Sequence, residues 1–223
     1  MNSSITELFS AIRQGDLSAV ESLLRERPEL AAARDASGIS AVTWACYVRQ
    51  APALAALLAR RPALDLFDAV AVGDEAHANA LLASDPARAL AWSADGFSAL
   101  HLAAFFRRPA IAARLLELGA DPSAPSRNPM GVAPLHSAAA AGSVDVCRLL
   151  LERGAPVDAL QPEGYTALMS AAQQGNAELA ELLLAHGASP DLQGANGQTP
   201  VTLAEENGHH DLAASLRERV VSR

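Results

Sequence analysis

Lysine is absent from this chain of 223 residues; all 17 basic side chains are arginine. Two explanations stand side by side: codon bias in a GC-rich genome, or a use for planar guanidinium–carboxylate pairing at an interface. Positive charge is scarce altogether. The 25 acidic residues leave a net charge of −8. That disfavours a nucleic-acid-binding role, which needs a basic face to neutralise phosphates. Aromatic residues make up only 4 % of the chain. There are two cysteines, Cys46 and Cys147, outside any CxxC or metal-ligand spacing. Both fall among alanines on helical positions, so they are expected to be small core residues. No stretch approaches the ~20 apolar residues of a membrane span. The opening residues Met1 to Glu7 lack the basic start and apolar run of a secretion signal. The expectation is a soluble, cytoplasmic chain that enters no membrane.

What is abundant is alanine, 50 of the 223 residues. Alanine has the best helix propensity, and its small side chain lets helices approach closely. The alanines are set in a repeating frame. Gly131-Val-Ala-Pro-Leu-His-Ser-Ala138 returns 33 residues later from Gly164 and another 33 later from Gly197; Gly96-Phe-Ser-Ala-Leu-His-Leu-Ala103 is an earlier copy. Gly142, Gly175 and Gly208 keep the same spacing. A period of this length means stacked small units, none able to bury its apolar face alone. Within each unit two short helices are expected. The first is capped by Ser40, Ser98, Thr166 or Thr199, with Pro134 or Pro200 in its first turn. The second is capped by Asp16, Asp74, Ser143 or Asn176. An extended finger then leads to the next glycine.

The N-terminal half has a longer period. Leu8-Phe9, Gly15-Asp16, Leu23-Leu24, Pro28 and Gly38 all recur 58 residues later. Two full units would need more, and the deficit lies before Leu66. The unit beginning there is expected to lack its finger, leaving a notch or a bend. Pro122 to Gly131 departs the other way: three prolines and two extra residues make a longer finger carrying Met130. It is either a contact element or a neutral insertion.

With Ala133-Pro-Leu-His136, Ser98-Ala-Leu-His101, Arg114-Leu-Leu-Glu-Leu-Gly-Ala-Asp121 and Glu181-Leu-Leu-Leu-Ala-His-Gly-Ala188 in view, the chain resembles the ankyrin repeat family, in a bacterial-type form. The resemblance covers nearly the whole chain. It implies an all-α solenoid of about seven helix-turn-helix units with hairpin-like fingers. One domain, 1–223, is expected, with units near 3–34, 35–63, 64–92, 93–125, 126–160, 161–193 and 194–221. Val42-Thr43-Trp44 departs from the family's Leu-His-x, so that unit is divergent.

The resemblance also implies a concave face of finger tips and first helices that binds proteins. Carried onto this sequence, it points to Ile39, Tyr47, Val48, Trp92, Phe97, Phe105, Phe106, Met130, Tyr165, Gln173 and Gln174. Six of the nine aromatics lie on such positions. In so aromatic-poor a chain this suggests a binding surface, with packing between neighbouring units as the alternative.

Catalytic chemistry finds little footing. His101 and His136 occupy the position where the family uses histidine to bridge backbone groups of neighbouring fingers. His209-His210-Asp211, near Glu205 and Glu206, places adjacent histidines on different sides of a helix. No phosphate loop, dinucleotide fingerprint or HExxH occurs. Asp16 and Asp74 are explained as caps. The expectation is a non-catalytic protein-interaction module without cofactor or metal, a monomer or weak homo-oligomer. The alternatives are a homo-oligomerising scaffold, or a groove for a small ligand or glycan.

Overall fold

A computed structural model describes residues 3–221. Among them the chain is all-helical, with two isolated β-bridges and no strand. It divides into two compact bodies, one ending at Ala99 and the other beginning at Leu100.

The N-terminal body holds α1 (Ser3–Gln14), α2 (Leu17–Glu26), α3 (Ala41–Tyr47), α4 (Ala51–Leu58), α5 (Leu66–Val72) and α6 (Glu75–Ser84). Short 3-10 helices at Pro28–Ala32 and Pro86–Leu90 follow α2 and α6. The C-terminal body holds α7 (Ala99–Phe105, opening at the boundary), α8 (Pro109–Glu117), α9 (Pro134–Ala140), α10 (Val144–Glu152), α11 (Ala167–Gln174), α12 (Ala177–Ala185), α13 (Pro200–Glu206) and α14 (His210–Val221). The helices are short, so each depends on packing rather than on propensity.

Local signals set the helix ends. Side chains of Asp16, Asp74 and Asn176 accept the N–H of Ala19, His77 and Leu179 at 2.9–3.0 Å. Ser40, Thr166 and Thr199 cap α3, α11 and α13 in the same way. Ser143 begins α10 but makes no side-chain cap bond. Between the two helices of a pair the chain reverses at a left-handed residue: Gly15, Gly73, Gly142, Gly175 or Gly208. Arg49 and Arg107 occupy the same place with φ of 56° and 58°. Arg61, with φ of 51°, stands where its counterpart 58 residues on is Gly119. These three are the positive-φ residues other than glycine among those described.

Each body has its own core of alanine and leucine. Leu8, Ile12, Val20, Leu24 and Leu57 are fully buried in the first; Leu100, Leu115, Leu135, Leu150 and Leu168 are nearly so in the second. Burying such a side chain contributes about 1.5–3 kcal/mol. Cys147 is fully buried, and burial pushes its thiol up to about 12.

Fingers close on one recurring hydrogen bond. Asp35 N–H donates to Ile39 O, Ser93 to Phe97, Gln161 to Tyr165 and Gly194 to Gln198. In the long finger the closure runs from Ser126 to Val132, and the extra residues lie inside that loop. No finger turn separates α4 from α5. The expected notch is absent: the finger at 92–98 moves up against its predecessor, so a Cβ added at Gly38 would lie 2.9 Å from that of Ala94.

Candidate functional site

Histidine position shows how the fingers are held. His101 Nε2 and Val132 O are 2.8 Å apart, as are His136 Nε2 and Ala159 O. Ala133 N–H donates to His136 Nδ1, so the ring carries its proton on Nε2 and donates to the carbonyl. Both rings are buried, and burial holds their pKa below the ordinary value. Thr43 takes this position in α3, where no following finger offers a carbonyl. Its hydroxyl instead donates to Asp68 Oδ1 at 2.8 Å, which the Ser40 hydroxyl also reaches. Asp68 is buried, and desolvation raises its pKa. Arg34 spans from the finger to this cluster, 2.7 Å from Asp65 Oδ2 and 3.8 Å from Asp68 Oδ2. A missing finger is thus replaced by a polar cluster, and the divergence of Val42-Thr43-Trp44 acquires a structural reason.

In the N-terminal body, Ile39 is half-buried and its N–H is held by Asp35. Tyr47 is half-buried and donates to Asp95 Oδ2 at 2.8 Å, tying α3 to the finger at 92–98. Burial, then the Asp95 charge, raises its pKa. Val48 packs against the core. Trp92 and Phe97 are half-buried on one finger, whose backbone pairs at Trp92 and Ser98.

In the C-terminal body, Phe105 and Phe106 meet edge to face at 5.2 Å. Phe105 is 38 % exposed and Met130 57 %. Tyr165 is half-buried, its hydroxyl 3.5 Å from Gln198 Oε1. Gln173 is exposed. Gln174 donates to Ala139 O at 3.0 Å, so its amide is spent on joining α11 to α9. Arg107 makes a tie in the other direction, donating forward to Ala141 O and Gly142 O of the next repeat.

Two participants, Phe9 and Trp44, escaped the sequence argument, and a third, Leu160, had only its finger position to mark it. Leu160 is 58 % exposed on the finger after the long one; its place four residues before Gly164 was the available signal. Phe9 and Trp44 stand 6.3 Å apart and line a cavity of about 530 Å³ between α1, α3 and the finger at 34–39. Phe9, half-buried against the core, had only its recurrence as Phe67 for a signal, which says nothing of the cavity it lines. Among the described residues no group of His, Cys, Asp or Glu has a metal-holding arrangement.

A family model of ankyrin repeats, in three copies, matches residues 66–161 and 135–221, more than half of the chain. The chain belongs to the ankyrin repeat family. A 65-residue stretch, 29 % of this chain, is 54 % identical to human Neurogenic locus notch homolog protein 4, of which it spans 3 %. Ankyrin repeats are generally protein–protein interaction modules and typically lack catalytic activity. No helix among the described residues of this ankyrin chain is long and apolar enough to cross a membrane.

Proposed function

We propose that this chain is a non-catalytic module that holds a partner protein on the face made by its finger tips and first helices. The observation that carries this is the exposed apolar set of the C-terminal body: Phe105 at the end of α7, with Met130 and Leu160 on successive fingers. Large apolar side chains exposed in this way mark interaction sites more often than chance. Phe106, Tyr165, Gln173 and Gln174 accompany them, and Ile39, Tyr47, Val48, Trp92 and Phe97 take the matching positions in the N-terminal body. The net charge of −8 favours a basic or mixed-charge partner. This reading places seven repeats in a single domain, in a bacterial cytoplasm, without nucleic acid, membrane, cofactor or metal, as a monomer or weak homo-oligomer.

The test is affinity purification from the native host with the wild type beside a Phe105→Asp, Met130→Asp variant. Both positions are exposed, so helical content should be unchanged. A partner retained by wild type and weakened about 30-fold or more in the variant supports the face. A partner kept equally by both overturns it. No partner with either, together with a dimer by light scattering, turns the assignment to self-association.

A further inference from the structure

We propose that the cavity of the N-terminal body binds an extended peptide segment of a partner protein, with an apolar side chain next to an acidic one. This rests on the protein-binding reading above and names the chemistry of a second contact point. The apolar wall is Phe9 and Trp44, with Ile5 one helical turn before Phe9. The volume, about 530 Å³, lies within the range of ligand clefts, and the cleft is open on one side, as a peptide laid across it requires.

The rim decides what enters. Arg34 is spent on Asp65 and on Gly38 O. Arg13, one turn beyond Phe9 on α1, is exposed and forms no ion pair or hydrogen bond among the described residues. It is a cation ready for a carboxylate. The finger lip offers both halves of a backbone contact. Asp35 Oδ1 accepts from Ser37 and Ile39, while its Oδ2 accepts no hydrogen bond among the described residues. The Ala36 N–H likewise has no protein acceptor among the described residues.

The chain supplies its own precedent for that N–H. Ala195 holds the same place in the last finger, two residues before the finger glycine, and donates to Glu163 O of the preceding finger at 2.9 Å. Among the described residues no finger precedes the one at 34–39. A peptide lying there would present a carbonyl to Ala36, an N–H to Asp35, an apolar side chain to the aromatic wall and a carboxylate to Arg13. A simple apolar acid would use only the last two.

The experiment pans a displayed library of random 12-residue peptides against the full chain carrying Trp92→Phe, which leaves Trp44 as the remaining tryptophan. Enriched peptides should pair an apolar residue with Asp or Glu and change Trp44 fluorescence on binding. Arg13→Gln should weaken them about tenfold, and so should Glu→Gln in the peptide, with no further loss when both are combined. Equal affinity for the wild type and Arg13→Gln, or enrichment without an acidic residue, overturns the proposal. So does a dimer in sedimentation that Arg13→Gln dissolves, which would assign the cavity to a second copy. The Phe105→Asp, Met130→Asp variant separates the two proposals. It should keep the peptide even where it loses a captured partner, whereas a chain that captures a partner but enriches no peptide overturns this inference alone.

Discussion

Replacing Arg49 by glycine should make the protein more stable. Arg49 sits at φ 56° in the reversal between α3 and α4, where Gly15, Gly73, Gly142, Gly175 and Gly208 serve the other repeats. A left-handed conformation costs an L-residue about 1–2 kcal/mol. Glycine removes that cost and adds back about 0.5–1 kcal/mol of unfolded-state entropy. Arg49 forms no side-chain hydrogen bond or ion pair among the described residues, so nothing else is lost. The net gain is about 0.5–1 kcal/mol, or roughly 1–4 °C in Tm for a chain of this size. Arg61→Gly follows the same reasoning. Arg107→Gly does not, because its guanidinium donates to Ala141 O at 2.7 Å and Gly142 O at 3.2 Å. Losing those bonds costs about 1–3 kcal/mol, which cancels or exceeds the relief. Urea midpoints and thermal melts of the three variants decide it. If Arg49→Gly loses stability as Arg107→Gly does, the strain argument is wrong.

Three other outcomes are expected. Gly175→Ala should cost more than Gly208→Ala in urea titrations: both have positive φ, but a Cβ at Gly175 lands on the His209 ring, whereas nothing stands near Gly208; equal losses would remove the His209 contact from the account. His101 and His136 have folded pKa values below their unfolded value of about 6.5. Their contribution is therefore complete above that pH and is lost as pH falls through it towards the folded values. The urea midpoint should drop between about pH 7.5 and 5.5, less steeply in a His101→Gln, His136→Gln variant, and an equal drop in both proteins refutes the assignment. In a Cys46→Ser background, the Cys147 thiol, buried and pushed up to about 12, should resist a thiol reagent at neutral pH until the chain unfolds; rapid labelling of the folded chain would contradict its burial.

What the amino-acid order determines by itself is local. Glycines 33 residues apart mark where the backbone must turn left-handed, and Asp16, Asn176, Thr166 and Thr199 cap the helices they precede. Such signals act within a few residues, so they survive being read in one dimension. The long finger was legible for the same reason; the histidine position was legible only through the resemblance to the ankyrin repeat family, because its partners lie 23 and 31 residues away. Tertiary structure alone decided the rest. Arg49, Arg61 and Arg107 stand in a conformation that glycine holds in the other repeats, which their residue type does not signal. Gln174 became a tie to Ala139 O because α9 lies beside α11. The fingers at 34–39 and 92–98 stand together although a whole finger is missing between them, with the Tyr47–Asp95 bond tying α3 to the second of them. Phe9 and Trp44 are 35 residues apart in sequence and share one cavity wall because α1 and α3 are neighbours. Exposure is a property of what stands opposite a side chain, and only the fold determines that.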